Sequence, residues 1–187
     1  MRSGLAAALM LVPAVWGADT DRARVLDEIG RVATVMTDGD VCRRIMTPRA
    51  LEFLLKKDPR DEWVANDNFA VDQGAFTQVK KTLIRLSRLA EFPCDVNLWM
   101  PVPGKPGQIQ VLIRNVHEMS QFWPWGALTQ ETPAAMAKVL EKGERVTVTE
   151  KAGFVSVLAP VYDSLGEIAG LVEVVTKTGG DPRENVK

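Results

Sequence analysis

The apolar positions of this chain change period about half-way along, from helical spacing to alternation. Val25, Ile29, Val32 and Met36 recur at helical spacing in a segment starting near Asp19, which predicts an amphipathic first helix that Asp38-Gly39-Asp40 ends or kinks. Thr47-Pro48 opens a short second helix, with a hydroxyl cap and proline at the first helical position. That helix turns Leu51, Leu54 and Leu55 inward and stops before Asp58-Pro59, and a polar link containing Trp63 and Phe69 follows. The clearest stripe is Phe76, Val79, Leu83, Leu86 and Ala90; Lys80, Lys81, Arg85 and Arg88 lie mostly off it, on a face read as solvated.

From Phe92 the pattern alternates. Val96 to Met100 and Ile109 to Ile113 read as paired strands around a Pro- and Gly-rich turn. A Trp-rich connection runs from Val116 to Thr129. Thr132-Pro133 then opens a capped helix, with Met136, Val139 and Leu140 inward and Gly143 closing it. Arg145 to Glu150, Phe154 to Tyr162 and Ile168 to Thr176 complete the strands. The order predicts an α+β fold for residues 19–176: an antiparallel sheet of about five strands with a long N-terminal helix and flanking helices. Residues 177–187 read as a polar tail.

The first residues change the picture. Arg2, the apolar run Leu5 to Val12, and Val15 and Gly17 at the −3 and −1 positions make residues 1–17 read as a secretory signal peptide, cut after Gly17 or after Ala18. Asp19, Asp21 and Arg22 end the run short of the roughly 20 apolar residues that span a bilayer. A periplasmic or secreted location is therefore expected.

Composition mainly excludes. A formal charge of −1 argues against nucleic-acid partners. With one His and two Cys, the chain lacks the ligands for an ordinary zinc site, and no metal or other cofactor is expected. Cys42 and Cys94 leave two readings open: a disulfide in an oxidising compartment, or two buried thiols. GxSxG, P-loop and HExxH motifs are absent, so an enzyme is not expected; Ser120, His117 and Asp95 make a hydrolase triad on paper only.

The run from Gly153 to Val175 carries a family resemblance. Ala159-Pro160-Val161-Tyr162-Asp163, then Gly166 and Gly170, resembles the closing hairpin of extracellular Cache domains, the PAS-like sensors of chemoreceptors and sensor kinases. The element order over residues 19–176 is similar to a single-Cache module. The resemblance implies a small-molecule ligand held between the sheet and the connections that cover it. Two departures stand out: the chain ends before a membrane helix and output domain would follow, and Val175 stands near the place where amino-acid-binding members carry an Asp.

In this sequence the covering region is Arg114 to Trp125, with Trp99 and Tyr162 on neighbouring strands. A guanidinium at a strand end can clamp a carboxylate through parallel hydrogen bonds, so Arg114 is the candidate anchor for a small organic acid. Trp123 and Trp125, with Phe122, supply walls, and His117 or Tyr162 a polar contact. Trp99 reads as core rather than as pocket wall. The leading expectation is a stand-alone sensor module that binds a small metabolite and signals through a membrane receptor or kinase partner. The alternatives are an interaction module whose pocket is filled by side chains and, behind it, a periplasmic hydrolase. Val25, Ile29, Val32 and Met36 offer a homodimer seam, unless they pack on the chain's own sheet.

Overall fold

The computed structural model describes residues 15–56, 70–123 and 129–178, with side chains from residue 20 onward except at 56. Most of the expected leader, the link with Trp63 and Phe69, Trp125 and nearly all of the polar tail lie outside the described residues. The chain forms five helices and six strands among them: α1 (Val15–Met36), α2 (Gly39–Ile45), α3 (Pro48–Lys56), α4 (Gln73–Ser87), β1 (Asp95–Pro101), β2 (Gln108–Ile113), β3 (Thr129–Glu131), α5 (Ala134–Lys142), β4 (Val146–Val148), β5 (Phe154–Tyr162) and β6 (Ile168–Lys177). The strands make one antiparallel sheet in the order β3-β2-β1-β6-β5-β4. The architecture is α+β, as the change of period predicts.

Alternation along the central strands divides the side chains between two faces. Val96, Leu98 and Met100 of β1, Val172 and Val174 of β6, and Val155, Val157, Ala159 and Val161 of β5 meet α1, α2 and α4 in the larger core. Trp99, Leu171 and Leu158 face the other way and pack with Met136 and Val139 of α5. Ile29 is buried, and Val25 and Val32 pack against the helix-side core. The seam considered for a second copy is therefore turned onto the domain's own sheet, except for Met36, which is 59% exposed.

Four local details differ from the sequence reading. Asp38, read as a helix stop, caps a new helix: its Oδ1 accepts from the amides of Asp40 and Val41 and starts α2. Strand β3 is a sixth strand, too short at three residues to show a period. Thr132 does not cap α5; its hydroxyl donates to the Gly107 carbonyl at 3.0 Å and ties β3 to the β1–β2 turn. Strand β4 is shorter than Arg145 to Glu150. Gly143 does end α5, at φ 68, in the left-handed conformation that favours glycine.

The disulfide is not formed: Cys42 and Cys94 are free, buried thiols. Cys42 lies on α2, while Cys94 precedes β1 and donates to the Ser87 carbonyl at 3.3 Å. Burial pushes both thiols up to about 12, with Asp38 adding to the rise at Cys42 and Asp95 at Cys94. They behave as small core hydrophobes.

In the β5–β6 hairpin Pro160 lies opposite Leu171, and the register shifts between Val161 and Tyr162. Pairing with β4 stops at Leu158, so the missing proline donor falls beyond the end of that neighbour. At Gly170 a Cβ would stand 2.5 Å from Met100 Sδ and 2.6 Å from the Trp99 carbonyl oxygen. The backbone oxygen cannot yield without disturbing the β1–β6 ladder. Gly170→Ala is expected to destabilise the chain by about 1–3 kcal/mol, read from urea unfolding midpoints; an unchanged midpoint would refute the close approach.

Candidate functional site

A one-residue irregularity in β1–β2 pairing positions the site. Leu98 pairs with Ile113 but Trp99 pairs with Val111, so Leu112 is extra and both Leu112 and Ile113 pack toward the helix-side core. Arg114 consequently turns to the other side, where its guanidinium carbon lies 3.4 Å from the centre of the Trp123 ring. Only 17% of the Arg114 side chain is exposed. Its nearest anionic partner among the described residues is Glu118 at 3.7 Å, and there it donates no hydrogen bond within ordinary length. Its carbonyl accepts from Lys80 Nζ on α4. Burial, then the neighbouring Arg114 charge, holds the Lys80 ammonium below the usual lysine range. Two cations thus share a partly desolvated corner.

Beyond Arg114 the chain crosses the sheet as a strap, and a row of buried polar side chains holds it. Asn97 Oδ1 accepts from the Asn115 amide at 3.0 Å, and Asn97 Nδ2 donates to the Met119 carbonyl at 2.7 Å. Asp95, fully buried on β1, accepts from the amides of His117 and Met119 at 3.2 and 2.8 Å and from His117 Nδ1 at 2.9 Å. A carboxylate only accepts, so Nδ1 carries the imidazole proton in this contact. Between these anchors Glu118 takes φ 54, a left-handed conformation that is costly for a residue with a side chain.

Glu173 of β6 is the centre of the row and is completely buried. It accepts from Ser120 Oγ at 2.7 Å, the Gln121 amide at 2.8 Å, Trp99 Nε1 at 3.1 Å, Ser156 Oγ at 3.1 Å and Asn97 Nδ2 at 3.5 Å. Gln121 carries the strap onward, donating to the Val148 carbonyl and accepting from the Lys151 amide. Phe122 closes edge-on over Trp99, with ring centres 6.5 Å apart.

The structure brings together some of the expected residues and disperses others. Arg114 and Trp123 are in contact. His117 is half exposed and anchors the strap through Asp95. Trp99 is core, with its indole N–H given to Glu173. Tyr162 pairs with Ile168, which precedes Glu173 by five positions and thus lies about 17 Å away along β6, and its hydroxyl donates to the Gly143 carbonyl. Trp125 lies outside the described residues. The paper triad is not assembled: Ser120 gives its proton to Glu173, although His117 and Asp95 do meet. Sequence reasoning missed Glu173, Asn97 and Ser156. The available signal was one acid inside Leu171-Val172-Glu173-Val174-Val175, where every neighbour is apolar.

No family model matches the chain, and no curated protein matches it. Among solved structures it is similar to the sensory domain of a Campylobacter jejuni chemoreceptor, crystallised with isoleucine bound, at 10% identity and a TM-score of 0.33. The match covers 88% of this chain and 61% of that one, so the chain spans less than two thirds of that neighbour's length. A likeness this distant does not bear on ligand or role. Among the described residues, no helix is long and apolar enough to cross a membrane, and no acidic, His or Cys cluster could hold a metal ion.

Burial raises the Glu173 carboxyl above the usual glutamate range, against the pull of its hydrogen-bond donors. The folded chain therefore holds this proton more tightly than the unfolded chain. The stabilisation is complete below the ordinary value of 4.5 and is lost as pH rises through the raised one. Glu173→Gln brings two N–H donors where the acid form carries one O–H, among five groups that already donate there, and should cost about 1–3 kcal/mol at acid pH. In urea unfolding across pH, the gap between parent and variant should narrow as pH rises above 4.5. A pH-independent gap would contradict the raised carboxyl.

Proposed function

We propose that this chain is an exported sensor-type domain that binds a small organic acid at Arg114 and reports its occupancy to a membrane receptor or kinase partner. One observation carries the reading. Arg114 is mostly buried and stacked on Trp123, yet among the described residues its guanidinium donates no hydrogen bond, and Glu118 is 3.7 Å away. A guanidinium lying over a ring keeps its N–H donors in its own plane, clear of the ring face and pre-set for a bidentate carboxylate. Lys80 beside it adds a second positive charge that an incoming anion would relieve. The Ala159–Asp163 and Gly166–Gly170 hairpin, with its resemblance to Cache sensors, supports the same class. Export rests on residues 1–17; a cut after Gly17 would remove only the first residues of α1.

A second reading has its own observation. The strap from Asn115 to Phe122 already satisfies Asp95, Asn97 and Glu173 and lays Phe122 on Trp99, so this face is filled by the chain itself. On that reading the domain is an interaction module.

Thermal unfolding with acetate, pyruvate, succinate and citrate, each against its neutral amide, separates the two. A binding acid at a hundredfold excess over Kd stabilises by about 2.7 kcal/mol, several degrees at this size. The acid alone should raise Tm, and Arg114→Ala should abolish the shift. No shift with any acid, or a shift that survives Arg114→Ala, leaves the filled-face reading in its place.

A further inference from the structure

We propose that a cavity on the helix side of the sheet, remote from Arg114, is a second binding site, for a small neutral aliphatic molecule carrying one carbonyl oxygen. The cavity measures about 350 Å³, near the small end of ligand pockets, which run from roughly 300 to 1,000 Å³. It opens where β1 and β2 approach their turn, between α2 and the start of β6. Met46, Met100, Leu112 and Ile168 are among its apolar walls.

Gln110 of β2 also lines it. The residue is 3% exposed, and its Nε2 has no hydrogen-bond partner among the described residues. A buried amide N–H without an acceptor bears the full cost of its desolvation, which a ligand oxygen would remove. This observation makes the cavity a site rather than a packing gap.

Charge decides the class. Among the described residues Arg43 is the one charged residue in the lining, and its guanidinium is already paired with Asp163 in the β5–β6 turn. A carboxylate entering an apolar cavity whose cation is balanced would lose its hydration with nothing to replace it. A ketone or amide oxygen accepts from Gln110 at no such cost, while its aliphatic body covers the methionines. Cys42 adds an apolar, unreactive wall, its thiol being pushed up to about 12 by burial.

The full chain, labelled with 13C at its methionine methyl groups, tests this against 2-octanone, hexanamide and caprolactam, with octanoate and octane as controls. The carbonyl probes should move the Met46 and Met100 resonances and leave that of Met136, which packs in the opposite core. Gln110→Leu keeps the bulk and removes the donor, and should weaken carbonyl binding by about tenfold or more while octane is unaffected. Arg114→Ala should change nothing, which keeps this site distinguishable from the proposed acid site. Should Gln110→Leu misfold, Ala169→Leu fills the cavity instead and should abolish the shifts. The proposal is overturned if no carbonyl probe moves Met46 and Met100 at millimolar concentration. It is equally overturned if octanoate binds more tightly than 2-octanone, or if Gln110→Leu binds 2-octanone as the parent does.

Discussion

The Glu173 carboxylate lies without solvent near the middle of a six-stranded sheet, and the path of the chain from Asn115 to Phe122 follows from that burial. A carboxyl group taken out of water loses free energy in either protonation state unless close hydrogen-bond partners replace its hydration. β1 supplies Trp99 and Asn97, and β5 supplies Ser156, but two of the shortest bonds come from Ser120 and the Gln121 amide on the strap. The strap therefore cannot leave the sheet without stranding a buried carboxyl group that has lost its hydrogen-bond partners. Asp95 and Asn97 repeat the device one strand over, so the segment is fixed along most of its length.

This constraint gives the sheet two unlike faces. The helix side is packed with Val, Leu and Ala from β1, β5 and β6, and cohesion there comes from apolar area. On the other side a polar row meets a short apolar cluster around Trp99 and Met136. Satisfied polar networks are specific in a way that apolar contacts are not, because a register shift would leave several buried groups unpaired at once. Gln110 departs from this on the helix side: a buried amide whose donor finds no acceptor among the described residues, at the edge of a largely apolar cavity.

The elements that were legible in the sequence are those whose hydrophobic period repeats. Helix α4 and strands β5 and β6 came out within a few residues because their stripes run through two or more periods. Helix α2 and strand β3 did not, at seven and three residues. Asp38 shows a deeper ambiguity, since an Asx residue that stops one helix is equally fit to start the next. Arg114 with Trp123 was legible as a strand-end guanidinium near aromatics. The Glu173 network was not, because its donors come from β1, β5 and the strap, and only tertiary structure collects them. Tyr162 belonged to the hairpin motif rather than to the Arg114 corner, a distinction that pairing register draws and sequence spacing does not.

The two readings of the strap face are linked through Glu118. This residue sits between His117 and Met119, both held by Asp95, and takes a left-handed backbone while its carboxylate faces Arg114 at 3.7 Å. That distance is too long for a hydrogen bond, so the contact is Coulombic and partly screened at the exposed Glu118 end. A ligand carboxylate at hydrogen-bond distance from Arg114 would displace the weaker charge without disturbing the anchors at Asp95, Asn97 and Glu173. A filled face and an acid bound at Arg114 would therefore be compatible: the anchored strap would form the floor, and its Glu118 turn would yield. Because the Arg114 carbonyl is held by Lys80 of α4, and α4 packs against α1, an occupant of that corner would sit one residue from the helix layer.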